Sequence, residues 1–183
     1  TISNKILRSI SSLKNNEKIV SWNIGNTVLY QLTRRYIKPE LIYQQDAYLF
    51  WLRQLAKEIK QIDPGRDLTI DVALSPETPE VINRLRRIIP EIDSYGIVMN
   101  DSKAVSQLED ISAPYFLSSV SALDYLKLKS MGAGAFITDW QDIHTTDLVG
   151  FDGLKDHWGR RKISLLQLGK KWNNIPSVQA IRK

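Results

Sequence analysis

Apolar residues along this chain recur with two spacings, one typical of buried strands and one typical of helices. Five short apolar runs predict strands, at residues 19–25, 68–73, 95–99, 115–120 and 134–139. Apolar residues three or four positions apart predict helices, near residues 6–13, 44–62, 81–89, 102–108, 122–131 and 162–172. Because strands alternate with helices, the pattern predicts an α/β fold with a parallel sheet covered by helices.

Two architectures share this alternation: an open doubly wound sheet and a stretch of a (β/α)8 barrel. Periodicity alone does not choose between them. The chain has no linker rich in glycine, proline or serine and no short repeat. We therefore expect residues 1–183 to form one domain or part of one.

Composition excludes several classes of chemistry. The 183 residues are 43% hydrophobic and 25% charged, as in ordinary globular domains, and the net charge of +5 is too mild to indicate a nucleic-acid partner. Cysteine is absent, which excludes disulfides, thiolate zinc sites and a cysteine nucleophile. His144 and His157 are the only histidines, and their spacing supplies neither a metal site nor a serine-histidine-aspartate triad. No glycine-rich phosphate loop occurs. We expect no cofactor, no metal and no direct membrane insertion by this segment, since no apolar run approaches about 18 residues.

Polar residues lie at or just after the carboxyl end of every predicted strand. Ligands of parallel sheets bind at this edge. The five ends carry, in order, Asn23, Asn26 and Thr27; Asp71 and Ser75; Asn100 and Asp101; Ser118, Ser119 and Ser121; and Asp139, Trp140, Gln141 and Asp142. Amides, hydroxyls, carboxylates and an indole face are what a sugar ring needs. The structural alternative is that the asparagines and aspartates only start loops or cap helices, and that the tryptophan belongs to the core.

Five segments resemble, in order, strands four to eight of the large clan of (β/α)8 glycoside hydrolases that hold two catalytic glutamates on strands four and seven. IVSWNIGNT is similar to the fourth strand, LAKEIKQIDPGRDLTIDV to the helix and strand that follow, EIDSYGIVMND to the sixth, APYFLSSVSA to the seventh and GAFITDWQD to the eighth. GFDGLKDHWGRRKISLLQLGKKW is similar to the closing segment of the beta-galactosidase and cellulase-like members.

The resemblance implies a role for individual residues. Asn26 falls on the asparagine that contacts the sugar 2-hydroxyl, and Trp140 falls on the tryptophan that floors the sugar subsite. Thr27 falls on the acid/base glutamate and Ser119 on the nucleophilic glutamate. Retaining hydrolysis needs two carboxylates, and neither a threonine nor a serine without a base replaces them. The resemblance thus implies a barrel with no intact catalytic pair.

We therefore expect a catalytically degenerate, partial (β/α)8 TIM barrel that binds or guides a beta-linked polysaccharide. It would be the C-terminal portion of a barrel whose strands one to three lie outside this chain, so its partners would be a glycan and that N-terminal half. The parent would be a larger carbohydrate-active protein, such as a polysaccharide-synthesising glycosyltransferase, in an extracytoplasmic or secreted setting. The expected substrate-binding residues are Asn26, Asn100, Trp140, Asp71, Asp101, Asp139 and Asp142.

Two other interpretations remain open. An active beta-glycosidase, a hydrolase of O-glycosyl bonds, would need displaced carboxylates from among Asp101, Asp139 and Asp142. A purely structural barrel would bind no sugar and would only pack against its neighbours.

Overall fold

The computed structural model describes residues 1–99, 102–128, 134–144, 149–151 and 153–173. The chain divides into two compact units, Thr1–Leu117 and Ser118–Lys183. The prediction of a single domain stays a prediction.

The first unit alternates helices and strands. Its helices are α1 (Ile2–Leu13), α2 (Val28–Arg35), α3 (Glu40–Ile62) and α4 (Thr78–Ile88). Its strands are β1 (Ser21–Asn26), β2 (Asp67–Ala73) and β3 (Ser94–Val98), and a 3₁₀ helix spans Ser102–Asp110. Strand β4 (Tyr115–Val120) runs across the boundary of the two units.

Strands β1 to β4 and strand β5 (Ala135–Ile137) form an all-parallel five-stranded sheet in sequential order. The prediction of an α/β fold with five parallel strands is confirmed, and each strand begins and ends within about two residues of its predicted range. The order does not reverse partway, as it does in a doubly wound sheet.

Alternate residues of β2 face opposite sides of the sheet. Leu68, Ile70 and Val72 are buried on the side that carries the helices, where α2 and α4 contact β2. On the other side lie Thr69 and Asp71, which the register places beside Ser94 and Gly96 of β3. The side with Leu68, Ile70 and Val72 forms the core of this unit, and the opposite side carries the polar residues Thr69 and Asp71.

Helix α3 contributes five buried residues to the core of this unit. Its buried residues recur at helical spacing, and they are Leu49, Leu52, Leu55, Ala56 and Ile59. The helix begins four residues before its predicted start and ends at the predicted residue, Ile62. The turn Asp63-Pro64-Gly65 follows, where proline cannot continue the hydrogen-bond ladder.

The second unit has shorter elements. After β4 come α5 (Ala122–Lys127), β5, the antiparallel pair β6 (Ile143–His144) and β7 (Val149–Gly150), and α6 (Ile163–Asn173). The predicted helix at 122–131 ends earlier, at Lys127, and its last three positions lie outside the described residues. In the described part of the chain, no helix combines the length and apolar character that crossing a bilayer requires.

Candidate functional site

A β-bulge near the end of β1 places polar side chains on the polar side of the sheet. Asn23 lies opposite Thr69 and Asn26 lies opposite Asp71, so three residue steps along β1 match two along β2. The extra residue brings both asparagines to the side of Thr69 and Asp71, because residues two apart in β2 share a side.

These residues are joined by hydrogen bonds. The Asn23 amide donates from Nδ2 to Asp71 Oδ1 at 2.8 Å, and the backbone N–H of Gly25 donates to Asn23 Oδ1 at 3.1 Å. The backbone N–H of Thr27 donates to the Asp71 carbonyl at 3.0 Å. We call Asn23, Asn26, Thr27 and Asp71 the strand-end cluster. Asn26 is exposed and Asp71 half-buried, so the cluster presents an amide and a carboxylate to the surface.

Thr27 stands at the position that the resemblance assigns to the acid/base glutamate. It is 9% exposed and adopts φ 52 and ψ 24, a left-handed conformation that is uncommon for a β-branched residue. Its hydroxyl donates to Asn26 Oδ1 at 3.4 Å. Strained backbone of this kind clusters at functional positions. The side chain carries no group that titrates near neutral pH, so it cannot protonate a leaving oxygen.

A cavity of about 420 Å³ adjoins the cluster, since Thr27 and Asp71 are among its lining residues. Residues of α2, α3, β2 and α4 line it, among them Val28, Tyr48, Ile70, Val81 and Arg84. The Tyr48 hydroxyl is buried and has no hydrogen-bond partner among the described residues. Burial raises the pKa of Tyr48 to about 12.

Gly25 allows this close packing of α3 on β1. A β-carbon at Gly25 would lie 2.8 Å from the Tyr48 hydroxyl and 3.1 Å from Ile70 Cγ1. Any larger residue would push Tyr48 or the end of β1 away. Tyr48 thus supports the backbone that carries Asn23 and Asn26.

In the second unit, Trp140 lies in the loop after β5 and is 59% exposed, so it is not a core residue. The Lys155 ammonium stands 4.7 Å from the centroid of its ring. Trp140 also lines an open cavity of about 630 Å³, which we call the tryptophan cavity. Its other lining residues are Lys155, Arg161, Leu165, Leu166, Gly169, Lys170 and Asn173.

The two carboxylates next to Trp140 have partners within their own unit. Asp139 is half-buried and its Oδ2 accepts a hydrogen bond from the Thr138 hydroxyl at 3.2 Å. Asp142 is 7% exposed at its side chain, and its Oδ1 pairs with Lys162 Nζ at 2.7 Å and accepts from the Gly153 N–H at 3.0 Å. Asp142 therefore joins the loop after β5 to the segment before α6.

Ser119, Asn100 and Asp101 are the other predicted site residues. Ser119, at the position of the nucleophile, is half-buried in β4, and the neighbouring Ser118 hydroxyl is buried without a partner among the described residues. Asn100 and Asp101 lie outside the described residues. Within the described ranges, no group of three histidine, cysteine or carboxylate side chains is arranged to hold a metal ion.

The structure thus brings Asn26, Thr27 and Asp71 together in the first unit, and Asp139, Trp140 and Asp142 in one segment of the second. Sequence reasoning missed Asn23 as the partner of Asp71, Tyr48 behind the cluster, and Lys155 over Trp140. The polar alternation of β1 was the available signal for Asn23. The contact of Lys155 with Trp140 joins positions 15 apart through a loop, and no local pattern indicates it.

No protein-family model matches the chain, and no curated protein matches it.

Proposed function

We propose that this chain supplies strands four to eight of a glycoside hydrolase-like (β/α)8 barrel, and that it binds or guides a beta-linked polysaccharide without cleaving it. The sequential order of five parallel strands supports the barrel part, because a barrel wall is built by adding each strand beside the previous one. A doubly wound sheet would require a reversal of that order.

The strand-end cluster carries the proposal. Asn23, Asn26 and Asp71 share one side of the sheet at the carboxyl ends of two neighbouring strands, the edge where ligands of parallel sheets bind. Sugar hydroxyls both donate and accept, and an amide beside a carboxylate offers both functions in a fixed geometry. The bond between Asn23 and Asp71 holds this geometry before a ligand arrives, which reduces the entropy cost of binding.

The same residues argue against cleavage. Thr27 offers no titrating proton where the acid would stand, and Ser119 would need a base to attack. Asp142 forms an ion pair with Lys162 within its own unit, and the Asp71 carboxylate accepts a hydrogen bond from the Asn23 amide. A glycosidase needs one carboxyl group free to give a proton and another free to attack or to activate water.

Titration calorimetry on the full-length protein that contains this chain tests the proposal, with beta-glucan and mannan oligosaccharides as ligands. We expect heats of binding for at least one series, and affinity about tenfold weaker in Asn26→Ala, as expected for losing roughly one hydrogen bond to a ligand. Asn15→Ala is the matched control, since Asn15 is an exposed asparagine in the turn after α1.

Three results bear on the alternatives. Oligosaccharide binding that Asn26→Ala weakens and Asn15→Ala leaves unchanged would support the proposal. No binding of any oligosaccharide at millimolar concentration would leave the purely structural barrel as the better interpretation. Release of new reducing ends would favour the active glycosidase.

A further inference from the structure

The two units differ in charge. Residues 118–183 contain ten lysines and arginines against six aspartates, whereas residues 1–117 contain fifteen basic and fourteen acidic residues. The second unit therefore carries +4 of the net charge of +5. An excess of this kind is informative only if the cations are gathered and unneutralised at one place.

Seven of the ten basic side chains in the second unit are used in its own structure or lie outside the described part. Three cations form ion pairs with aspartates, and these pairs are Lys127 with Asp124, Arg160 with Asp156 and Lys162 with Asp142. Lys171 donates to the carbonyls of Tyr125 and Leu128, and burial lowers its pKa.

The three remaining described cations all line the tryptophan cavity. Lys155, Arg161 and Lys170 form no ion pair with any residue in the described ranges, and no acidic side chain is among the described residues that line the cavity. Leu165, Leu166 and Gly169 provide an apolar wall beside the exposed indole of Trp140. The cavity thus combines a flat aromatic surface with Lys155 4.7 Å from its centroid, an aliphatic wall, and three positive charges that no described carboxylate neutralises.

We propose that the tryptophan cavity binds the acidic residues of a carboxylated glycan, with a uronic acid ring beside Trp140 and its carboxylate facing Lys155, Arg161 and Lys170. This inference rests on the proposed function and adds to it the chemical class of the glycan. A neutral sugar would use the indole but bring no carboxylate to the three cations, whereas a uronate offers both a ring and a carboxylate. A small anion such as inorganic phosphate would use the charges and leave the indole and the leucines uncovered.

A matched pair of ligands tests the inference on the full-length protein. β-1,4-Mannohexaose and the β-1,4-mannuronate hexasaccharide share ring configuration and linkage, and they differ by a carboxylate at C6. We expect the mannuronate to bind at least about tenfold more tightly at low salt, since three cations at partly exposed sites each add up to a few-fold. The preference should shrink at 0.5 M salt because the charges are screened.

Matched variants assign the preference to this cavity. Lys170→Gln and Arg161→Gln each remove one charge from exposed positions, so neither should unfold the protein. We expect each to weaken mannuronate binding about three- to fivefold and to leave mannohexaose binding unchanged. Lys127→Gln makes the same charge change at an exposed, ion-paired lysine outside the cavity, and it should leave both affinities unchanged.

The outcomes separate the two proposals. If both hexasaccharides bind equally, or if Lys127→Gln weakens mannuronate binding as much as Lys170→Gln does, the acidic-glycan inference is wrong and glycan binding itself stands. If neither hexasaccharide nor any beta-glucan oligosaccharide binds, both are wrong. If inorganic phosphate binds as tightly as mannuronate, the cavity is a general anion site and the inference fails.

Discussion

The strand-end cluster and the tryptophan cavity offer ligands different chemistry. In the cluster, Asn23, Asp71 and Thr27 are fixed by hydrogen bonds to one another and by the register of two parallel strands. In the cavity, Trp140 and its three cations project from a loop and from α6, and most of that surface is open. The first is a rigid, neutral-to-acidic hydrogen-bonding site, and the second is an exposed, cationic and partly apolar one. The first surface therefore suits groups that exchange hydrogen bonds, and the second suits a ligand that has an apolar face and a negative charge.

The largest loss of stability should come from replacing Gly153 of the second unit with alanine. A β-carbon at Gly153 would overlap the backbone of Gln141 and Asp142, which cannot move like the end of a side chain. We expect Gly153→Ala to destabilise the protein by about 3 kcal/mol or more in chemical denaturation. Gly25→Ala should cost less, about 1–3 kcal/mol, since Tyr48 and Ile70 can adjust.

Gly65→Ala is the control for both substitutions, because no described atom lies within 4 Å of a β-carbon there. Its stability should stay within about 0.5 kcal/mol of the wild type. If Gly25→Ala lowered the free energy of unfolding more than Gly153→Ala, the end of β1 would accommodate an added methyl group less well than the loop at Gly153, contrary to this expectation.

Trp140→Ala should reduce affinity for the bound oligosaccharide about ten- to a hundredfold. Loss of a ring stacked on a sugar is expected to cost on the order of 1–3 kcal/mol of binding, by analogy with other stacked rings. Because Trp140 is exposed, the variant should fold, and its circular dichroism spectrum and unfolding midpoint would confirm this. Unchanged affinity in a folded Trp140→Ala protein would remove the tryptophan cavity from glycan binding.

The buried phenol behind the strand-end cluster should make stability fall at alkaline pH. In the unfolded chain Tyr48 ionises near its ordinary pKa of 10.0, whereas in the folded chain its pKa is about 12. Between these values the unfolded state loses the proton first, so stability decreases as the pH rises from 10 to 12. Two pH units correspond to about 2.7 kcal/mol, and partial exposure of the ring reduces the expected loss to about 1–2 kcal/mol.

Tyr48→Phe isolates this contribution, since the raised pKa values of Tyr95 and Tyr115 are common to both proteins. Urea unfolding at pH 8 and pH 11.5 should show a smaller alkaline loss in the variant than in the wild type. Equal losses would mean that Tyr48 ionises in the folded protein as easily as in the unfolded chain.

The strands and most helices could be predicted because their signals are local. Each strand is a short apolar run with polar flanks, and α3 repeats its buried leucines at helical spacing. Helix α2 was not predicted, because it buries no residue completely and the residue before it, Thr27, makes no side-chain cap. Residues 102–108 were predicted as a weak helix and form the 3₁₀ helix Ser102–Asp110.

The two candidate sites were only partly predictable. Asn26, Thr27, Asp71 and Trp140 lie at or near the carboxyl ends of strands, where ligands of parallel sheets bind. The bond between Asn23 and Asp71 depends on a bulge, and the register of a parallel pair 48 positions apart leaves no mark in either segment. The cations around Trp140 come from a loop and from α6, so only the folded second unit gathers them.

Product analysis on a bound oligosaccharide tests most directly the claim that this chain holds a glycan without cutting it. The full-length protein would be incubated with β-1,4-mannohexaose and with the mannuronate hexasaccharide at concentrations where calorimetry shows saturation. The molecular masses of the recovered sugars would then be measured by mass spectrometry. We expect both hexasaccharides to be recovered intact after prolonged incubation, as Thr27 and Ser119 supply no carboxyl group. Shortened products that disappear in Asp139→Asn or Asp101→Asn would contradict the account and identify an active glycosidase.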